Sequence, residues 1–241
     1  MAEDAAAFAD AEARAAAGGD DVPPRLDWWT WDRPTISVGR LQDPATDIDR
    51  AAAAAAGIPV VVRPTGGRAI LHADEWTYRA IVRLDDPVLG GPRDASTRAL
   101  VRRIGRALGA AYGLALDPPA PERARGGTSG PGAAAACFAR AFGYELTVGR
   151  RKLMGSAQRR GRHVLLQQGS LLVGPGHERL GRYLPLAAAE RAAAEAGLAG
   201  AAITLADGLG ARPDPAPFLR ALADAFADVF PREAHASERS S

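Results

Sequence analysis

The sequence predicts an α+β fold, with mixed and antiparallel sheets flanked by helices. Three observations lead there. Short β-branched and alternating stretches come in groups joined by tight turns, as strands that pair with their neighbours do. Helical patterns stand before, between and after those groups. The length of 241 residues and the hydrophobic fraction of 47% suffice for one large domain, or a domain plus a small appendage, although much of that fraction is alanine, which packs helices more than it fills sheets. The expected organisation is a single domain over residues 1–233 with a disordered tail over 234–241.

The elements follow in order. Ala5 to Ala17 is alanine-rich, carries Phe8 as its one bulky apolar residue and stops at Gly18-Gly19, which marks a helix. Leu26 to Trp31 reads as an aromatic-rich strand, and Pro34 to Arg40 as a second in which Ile36 and Val38 alternate. Asp47 to Ala56 starts on an acid and stops at Gly57, so one helix is expected. Ile58 to Arg63 is a β-branched run of the buried-strand kind. A Thr65-Gly66-Gly67 turn leads to a strand over Ala69 to His72, and Glu75 to Leu84 resumes the strand pattern. In Ser96 to Tyr112, Leu100, Ile104 and Leu108 recur every four residues opposite a face of arginines, with Gly113 past the end, and this predicts a helix. Asp117 to Gly132, dense in Pro, Gly and Arg and without periodicity, reads as a long mobile loop. Strands follow at Tyr144–Val148, Lys152–Gln158 and Val164–Val173, joined by polar turns, and two helices, Leu186–Ala196 and Pro217–Val229, come after them.

Composition narrows the function classes. Thirty basic against 28 acidic residues leave a formal charge of +2, so no polyanion-binding tail is implied, and no nucleic-acid recognition motif is present. The single cysteine, Cys137, excludes an internal disulfide framework. Met1 to Asp10 is acidic and lacks the basic and apolar regions of a secretory signal. No apolar run approaches the roughly 18 residues that suggest a membrane span. His72, His163, His177 and His235 are scattered, and neither they nor Cys137 show metal-ligand spacing. A cytoplasmic protein is expected, with no metal, no membrane and no nucleic acid among its partners.

Arginine supplies nearly all the positive charge: Lys152 is the only lysine beside twenty-nine arginines. Where the bias is this strong, a surviving lysine points to a task arginine cannot perform, because its ammonium is compact, flexible and able to lose a proton when desolvated. Cys137 precedes Lys152 by fifteen residues, and a nucleophile near a cationic activator is the arrangement of covalent catalysis. Each residue also has a plainer reading, since a lone cysteine is usually a small buried hydrophobe and a lone lysine a solvated surface charge.

Two further stretches are unusual. The first, Arg63-Pro64-Thr65-Gly66-Gly67-Arg68-Ala69-Ile70-Leu71-His72, is a glycine-bearing turn bracketed by arginines. Paired glycines permit positive φ and a close approach of ligand to backbone, and successive N–H groups there can cradle a carboxylate, phosphate or thioester oxygen. By itself a Gly-Gly turn is more often an ordinary hairpin, and the stretch matches neither the G-x-G-x-x-G nor the Walker pattern. In the second, Arg151 to Gln158 and then Leu165 to Leu171, Gly155 and Ser156 interrupt a strand, which signals a bulge or close backbone approach. Lys152, just before that break, is well placed to point into a pocket.

Together these stretches resemble the lipoate–protein ligase and octanoyltransferase family, which shares its fold with biotin–protein ligases. Thr65 to His72, Asp74-Glu75 and Thr77-Tyr78 follow the family's T-G-G-R-A, hydrophobic pair, H, acidic pair and T-Y. Lys152 to Gln158 and Leu166 to Ser170 follow its downstream lysine, hydrophobic pair, G-S-A-Q and L-Q-x-G-S. The likeness spans Leu26 to Val173 and implies a biotin/lipoate protein ligase-like catalytic domain. On that basis Cys137 and Lys152 are the implied catalytic residues. The implied substrate-binding residues are Arg63, Thr65, Gly66, Gly67, Arg68 and His72 from the first stretch, with Gly155, Ser156, Ala157, Gln158, Gln168 and Gly169 from the second. The chain departs from the pattern at Val62-Arg63, where two arginines are common, at Arg79, where a small serine is common, and at Gln168, where histidine is common.

The resemblance also orders the activities. Ligases of this family activate free lipoate with ATP and Mg, need no enzyme thiol, and usually carry an accessory domain or separate small subunit. Transferases take octanoate from acyl carrier protein onto a cysteine. Cys137, directly before Phe138 and ahead of Tyr144-Glu145-Leu146, resembles the nucleophile of one transferase class, although some ligases have cysteine there too. After Val173 only two helices and a tail are expected, without a full accessory domain, and this too favours the transferase. The implied protein is an octanoyl-[acyl carrier protein]:protein N-octanoyltransferase, monomeric and without cofactor. It would move an octanoyl or lipoyl group from acyl carrier protein to a lysine of a lipoyl domain. An ATP-dependent ligase and a catalytically silent protein that binds a carrier or lipoyl domain are the alternatives, and intact Cys137 and Lys152 weigh against the silent one.

Overall fold

The computed structural model describes residues 1–18, 22–118 and 145–229. Cys137, Tyr144, the expected 234–241 tail and most of the expected 117–132 loop lie outside them. Eight strands carry the described fold: β1 (Arg25–Trp29), β2 (Thr35–Val38), β3 (Val60–Val62), β4 (Ile70–His72), β5 (Glu75–Arg83), β6 (Leu146–Val148), β7 (Arg151–Arg160) and β8 (Val164–Leu172). The larger sheet has the order β1-β5-β8-β7-β6 and is antiparallel at every pairing. The smaller sheet has the order β3-β2-β4, parallel between β2 and β3 and antiparallel between β2 and β4. With helices against both sheets this is the mixed α+β architecture expected from the sequence.

Helices α1 (Ala2–Ala16), α4 (Arg93–Tyr112) and α7 (Pro215–Ala225) cover the larger sheet, α4 and α7 packing on each other. The leucine and isoleucine stripe of α4 sinks into the main core, where Phe218 of α7 stacks on Trp76 and meets Trp28 edge-on. α1 places Phe8, Ala11 and Ala15 over Ile81, Val164 and Leu166. Every second residue of β5, from Trp76 to Val82, belongs to the main core, which leaves Thr77 and Arg79 on the other face.

Three expectations need correction. The single helix expected over Asp47 to Ala56 is two short ones, α2 (Pro44–Asp47) and α3 (Arg50–Ala55). Ile48 between them is extended and buried under the smaller sheet, and Asp49 caps α3 by accepting from the Ala52 N–H at 3.0 Å. A continuous helix would have pulled Ile48 out of its core site and denied α3 its cap. Asp117, expected to open a mobile loop, is tied to the β6–β7 turn, its carboxylate accepting from the N–H groups of Gly149 and Arg150 at 3.1 and 2.7 Å. The Arg150 N–H is the chief cause that holds this carboxyl below its ordinary value. After β8 the chain forms more than two helices: a 3-10 helix at His177–Tyr183 and α6 (Leu205–Leu209) accompany α5 (Ala188–Ala201) and α7. The capping box of α6, in which Thr204 and Asp207 bond each other's backbone N–H, has no hydrophobic period to announce it. No described helix is long and apolar enough to cross a membrane.

α1 also fastens the β7–β8 turn. The Glu12 carboxylate accepts from the N–H groups of Arg162, His163 and Val164 at 2.6, 2.8 and 3.0 Å. Glu12→Ala strands three donors of that turn and is expected to lower unfolding free energy by about 1–3 kcal/mol in denaturant titration. Glu12→Gln, which keeps one acceptor oxygen, should lose less.

Candidate active site

The two signature stretches meet because their strands are neighbours. Gly155, Ser156 and Ala157 of β7 stand opposite Ser170, Gly169 and Gln168 of β8, and those in turn stand opposite Thr77, Tyr78 and Arg79 of β5. The turn after β3 and strand β4 face this surface, and a cavity lies between them. Of the residues singled out from the sequence, Arg63, Thr65, His72, Gly155, Ser156, Ala157, Gln168 and Gly169 line it, joined by Met1, Ile70, Thr77 and Ser170. The surface exposed within the cavity is almost wholly apolar.

Arg63 builds the glycine turn. Its buried guanidinium donates to the Gly66 carbonyl from Nε and Nη2 (3.1 and 2.8 Å), to the Arg68 carbonyl (2.7 Å), and to the carbonyl and hydroxyl of Ser37 (both 3.1 Å). Gly66, Gly67 and Arg68 are therefore held beside the cavity by their backbone. Gly67 takes φ +89°, and a Cβ there would stand 2.8 Å from Arg63 Nη2. Gly169 is constrained from the other face: a Cβ would lie 2.2 Å from the Tyr78 ring. That ring is buried, its hydroxyl 2.8 Å from Ser156 Oγ and accepting from Gln167 Nε2 at 2.8 Å; burial pushes its pKa up to about 12, against the pull of both hydrogen bonds.

His72 sits in a polar seam beneath the cavity. Its Nε2 lies 2.7 Å from Ser37 Oγ, its Nδ1 lies 2.7 Å from Glu75 Oε1, and the Trp31 ring stacks on it at 4.1 Å. The Thr77 hydroxyl donates to Glu75 Oε1 and accepts from Trp31 Nε1. The Ser–His–Glu order looks like a nucleophile relay, but Ser37 is fully buried and its hydroxyl accepts from Arg63. The relay's geometric role is to hold the arginine. Burial pushes the Glu75 carboxyl up, yet the charge and hydrogen bond of His72, with the Thr77 and Ser170 hydroxyls, bring it below its ordinary value.

Two residues stand apart from the cavity. Gln158 projects from the other face of β7 and donates to Ser96 and Thr97 of α4 and to Gln167, because the period of the strand turns it away from Ala157. Lys152 is buried, 1% exposed at its side chain, in a 2.5 Å ion pair with Glu145, and does not line the cavity. It is no solvated surface charge. Sequence reading did not single out Glu145, Glu75, Thr77 or Asp4 as site residues. The only signal for Glu75 was the acidic pair within the signature, and nothing marked Asp4. Two of the three departures from the family pattern, Arg79 and Gln168, are cross-strand partners and meet at Asp4 of α1: Arg79 Nη1 donates to Asp4 Oδ1 at 2.8 Å and Gln168 Nε2 to Oδ2 at 2.9 Å. Among the described residues no cluster of three or more His, Cys, Asp or Glu side chains could hold a metal ion.

A five-stranded antiparallel sheet set against a small sheet, with a glycine turn over an apolar cavity, defines a lipoate ligase-like catalytic fold. The chain belongs to the lipoyl protein ligase A/B catalytic domain family, which matches residues 4–227. Its relatives include the octanoyltransferase LipM of Moorella thermoacetica, 40% identical over 152 residues, or 63% of this chain and 54% of that protein. LipM of Kyrpidia tusciae is 39% identical over 153 residues, or 64% and 56%. The chain thus spans about half the length of the curated relatives it matches. Among solved structures, a bipartite lipoate protein ligase from Thermoplasma acidophilum superposes with TM-score 0.62 at 16% identity, covering 98% of this chain and 82% of that one. Lipoate-protein ligase A bound with ATP gives 0.62 at 18%, covering 98% and 81%. At these identities the likeness is one of fold.

A depressed carboxyl contributes stability above its unfolded value, near 4.5 for Glu75, and loses that contribution as pH falls below it. Unfolding free energy of the protein should therefore drop on acidification through this range. Glu75→Gln, measured by denaturant titration at stepped pH, should start lower at neutral pH and decline less steeply.

Proposed function

We propose that this protein is an octanoyltransferase, moving an octanoyl or lipoyl group from acyl carrier protein through a Cys137 thioester to a lysine of a lipoyl domain. The observation that carries this reading is the apolar cavity between the two signature stretches, with the Gly66-Gly67 turn beside it. A saturated acyl chain needs walls without unpaired polar groups, and its carbonyl end needs donors. Relatives named octanoyltransferase LipM support the same class of reaction.

In the first step the Cys137 thiolate adds to the donor carbonyl, and collapse forms the enzyme thioester and releases the carrier thiolate, which takes up a proton. In the second, the neutral amine of the acceptor lysine attacks, loses a proton and leaves an amide, regenerating the Cys137 thiolate. Lys152, paired with Glu145, supplies positive charge for the thiolate or carbonyl oxygen, and the turn orients the acyl group. Arg68, exposed beside the turn, meets an acidic carrier or acceptor, chiefly by steering. The donor arrives activated, so the reaction proceeds without ATP, metal or other cofactor, and the protein acts as a monomer.

Mixing the protein with octanoyl-carrier and measuring intact mass should show one added octanoyl group, absent in Cys137→Ser. Full transfer by Cys137→Ala, or pyrophosphate release from lipoate, ATP and magnesium without transfer from carrier, would replace this reading with the ligase. Lys152→Arg should slow transfer by about 100-fold or more while the fold persists, because a planar guanidinium neither fits the buried site of the ammonium nor places its charge at the same point. Near-normal turnover of that variant, with its circular dichroism unchanged, would remove Lys152 from the mechanism.

A further inference from the structure

The cavity shows an almost wholly apolar surface although many of its wall residues carry polar side chains. Their hydrogens are drawn away from it. Arg63 spends its guanidinium on the carbonyls of Ser37, Gly66 and Arg68 and on the Ser37 hydroxyl. The Thr77 hydroxyl donates to Glu75, His72 lies between Ser37 and Glu75, and Ser156 bonds the buried Tyr78 hydroxyl. The Thr65 hydroxyl donates to Gln168 Oε1 at 2.8 Å, and Gln168 Nε2 donates in turn to Asp4 Oδ2 at 2.9 Å. Two of these chains end on Glu75 and Asp4, buried carboxylates that do not line the cavity. An ionised carboxylate only accepts, so each gathers hydrogens behind the wall.

The direction of the Asp4 chain is fixed from its far end. Arg79 can only donate, and its Nη1 occupies Asp4 Oδ1 at 2.8 Å, which leaves Oδ2 for Gln168. The Gln168 amide must then turn its nitrogen to Asp4 and its oxygen to Thr65, and the Thr65 hydrogen is spent. Thr65, Gln168, Asp4 and Arg79 are all buried, so these partners are found within the protein.

We propose that Asp4 sets which acyl groups the site accepts: through Gln168 it withholds the Thr65 hydrogen from the cavity, so that the wall suits acyl groups saturated beside the thioester and disfavours 3-hydroxy- and 3-oxoacyl groups. The inference rests on the acyl-transfer reading above. Thr65 directly precedes the Gly66-Gly67 turn that orients the acyl group in that reading, so it meets the first carbons of the chain whatever length follows. An oxygen carried there gives up water and finds no partner on the wall. Asp4 is a positioning residue, and the discrimination is exerted at Thr65.

The test compares kcat/KM for octanoyl-, 3-hydroxyoctanoyl- and 3-oxooctanoyl-carrier in the protein, Asp4→Asn and Thr65→Val. In Asp4→Asn the arginine retains the amide oxygen, so the new nitrogen faces Gln168. Gln168 then turns over, and Thr65 becomes an acceptor with its hydrogen released. The preference for octanoyl over both oxygenated groups is expected to narrow about tenfold, the contribution of one hydrogen bond. Thr65→Val keeps the shape and strips the donor from Gln168 Oε1. That bare acceptor should narrow the preference against 3-hydroxyoctanoyl, which has a hydrogen to give, but not against 3-oxooctanoyl, whose ketone has none. This variant carries the test if Asp4→Asn fails to fold. Preferences unchanged in the folded variants, an equal fall for all three donors, or a protein that takes all three alike would overturn the proposal. If the protein transfers none of them and Cys137 gains no acyl mass, the acyl-transfer reading fails and the proposal falls with it.

Discussion

Arg63 stands 3% exposed where β2, the end of β3 and the glycine turn converge, and its guanidinium donates to four oxygens, three of them backbone carbonyls. A cation taken out of water must find its acceptors in the protein, and a planar fork of donors can satisfy several carbonyls in a fixed arrangement. The turn therefore has little freedom to choose another shape. Its consequences spread outward: Gly67 can carry no side chain against the guanidinium, and Gly39 none against the Gly67 carbonyl, 2.1 Å from where its Cβ would be. Ser37 is held between Arg63 and His72, which ties the turn to Glu75 and the start of β5.

The remaining buried charges divide the molecule in the same way. Arg79 with Asp4 and Asp27 fixes α1 to the cavity face of the larger sheet, and Lys152 with Glu145 occupies a separate buried site near the β6–β7 edge. Buried ion pairs of this sort contribute little net stability after desolvation, but removing one partner is costly, so they act as devices that hold particular elements in register. The chain uses arginine where several acceptors must be matched at once and its one lysine where a compact charge meets the Glu145 carboxylate. That division gives the extreme arginine bias a structural meaning at the sites where it was broken or exploited.

Much of the fold and part of the site were legible in the sequence, because both are written in local periodicity. The four-residue stripe of Leu100, Ile104 and Leu108 reports which face of its helix is buried, and alternation at Ile36 and Val38 and the glycine stops report where elements run and end, all properties of neighbours along the chain. The signature residues from Thr65 to His72 and from Gly155 to Gly169 likewise announced a shared surface. Tertiary structure alone decided the rest. Ile48 left a helical pattern because a core position for it lies beneath the smaller sheet. Gln158 turned from the cavity because the strand period places it toward α4. Asp4 joined the site because the pairing of β5 with β8 sets Arg79 beside Gln168 and α1 lies across both. Such partnerships join residues sixty or more positions apart, and no pattern within one segment records them, since they exist only once the strands have paired and the charges have been drawn out of water together.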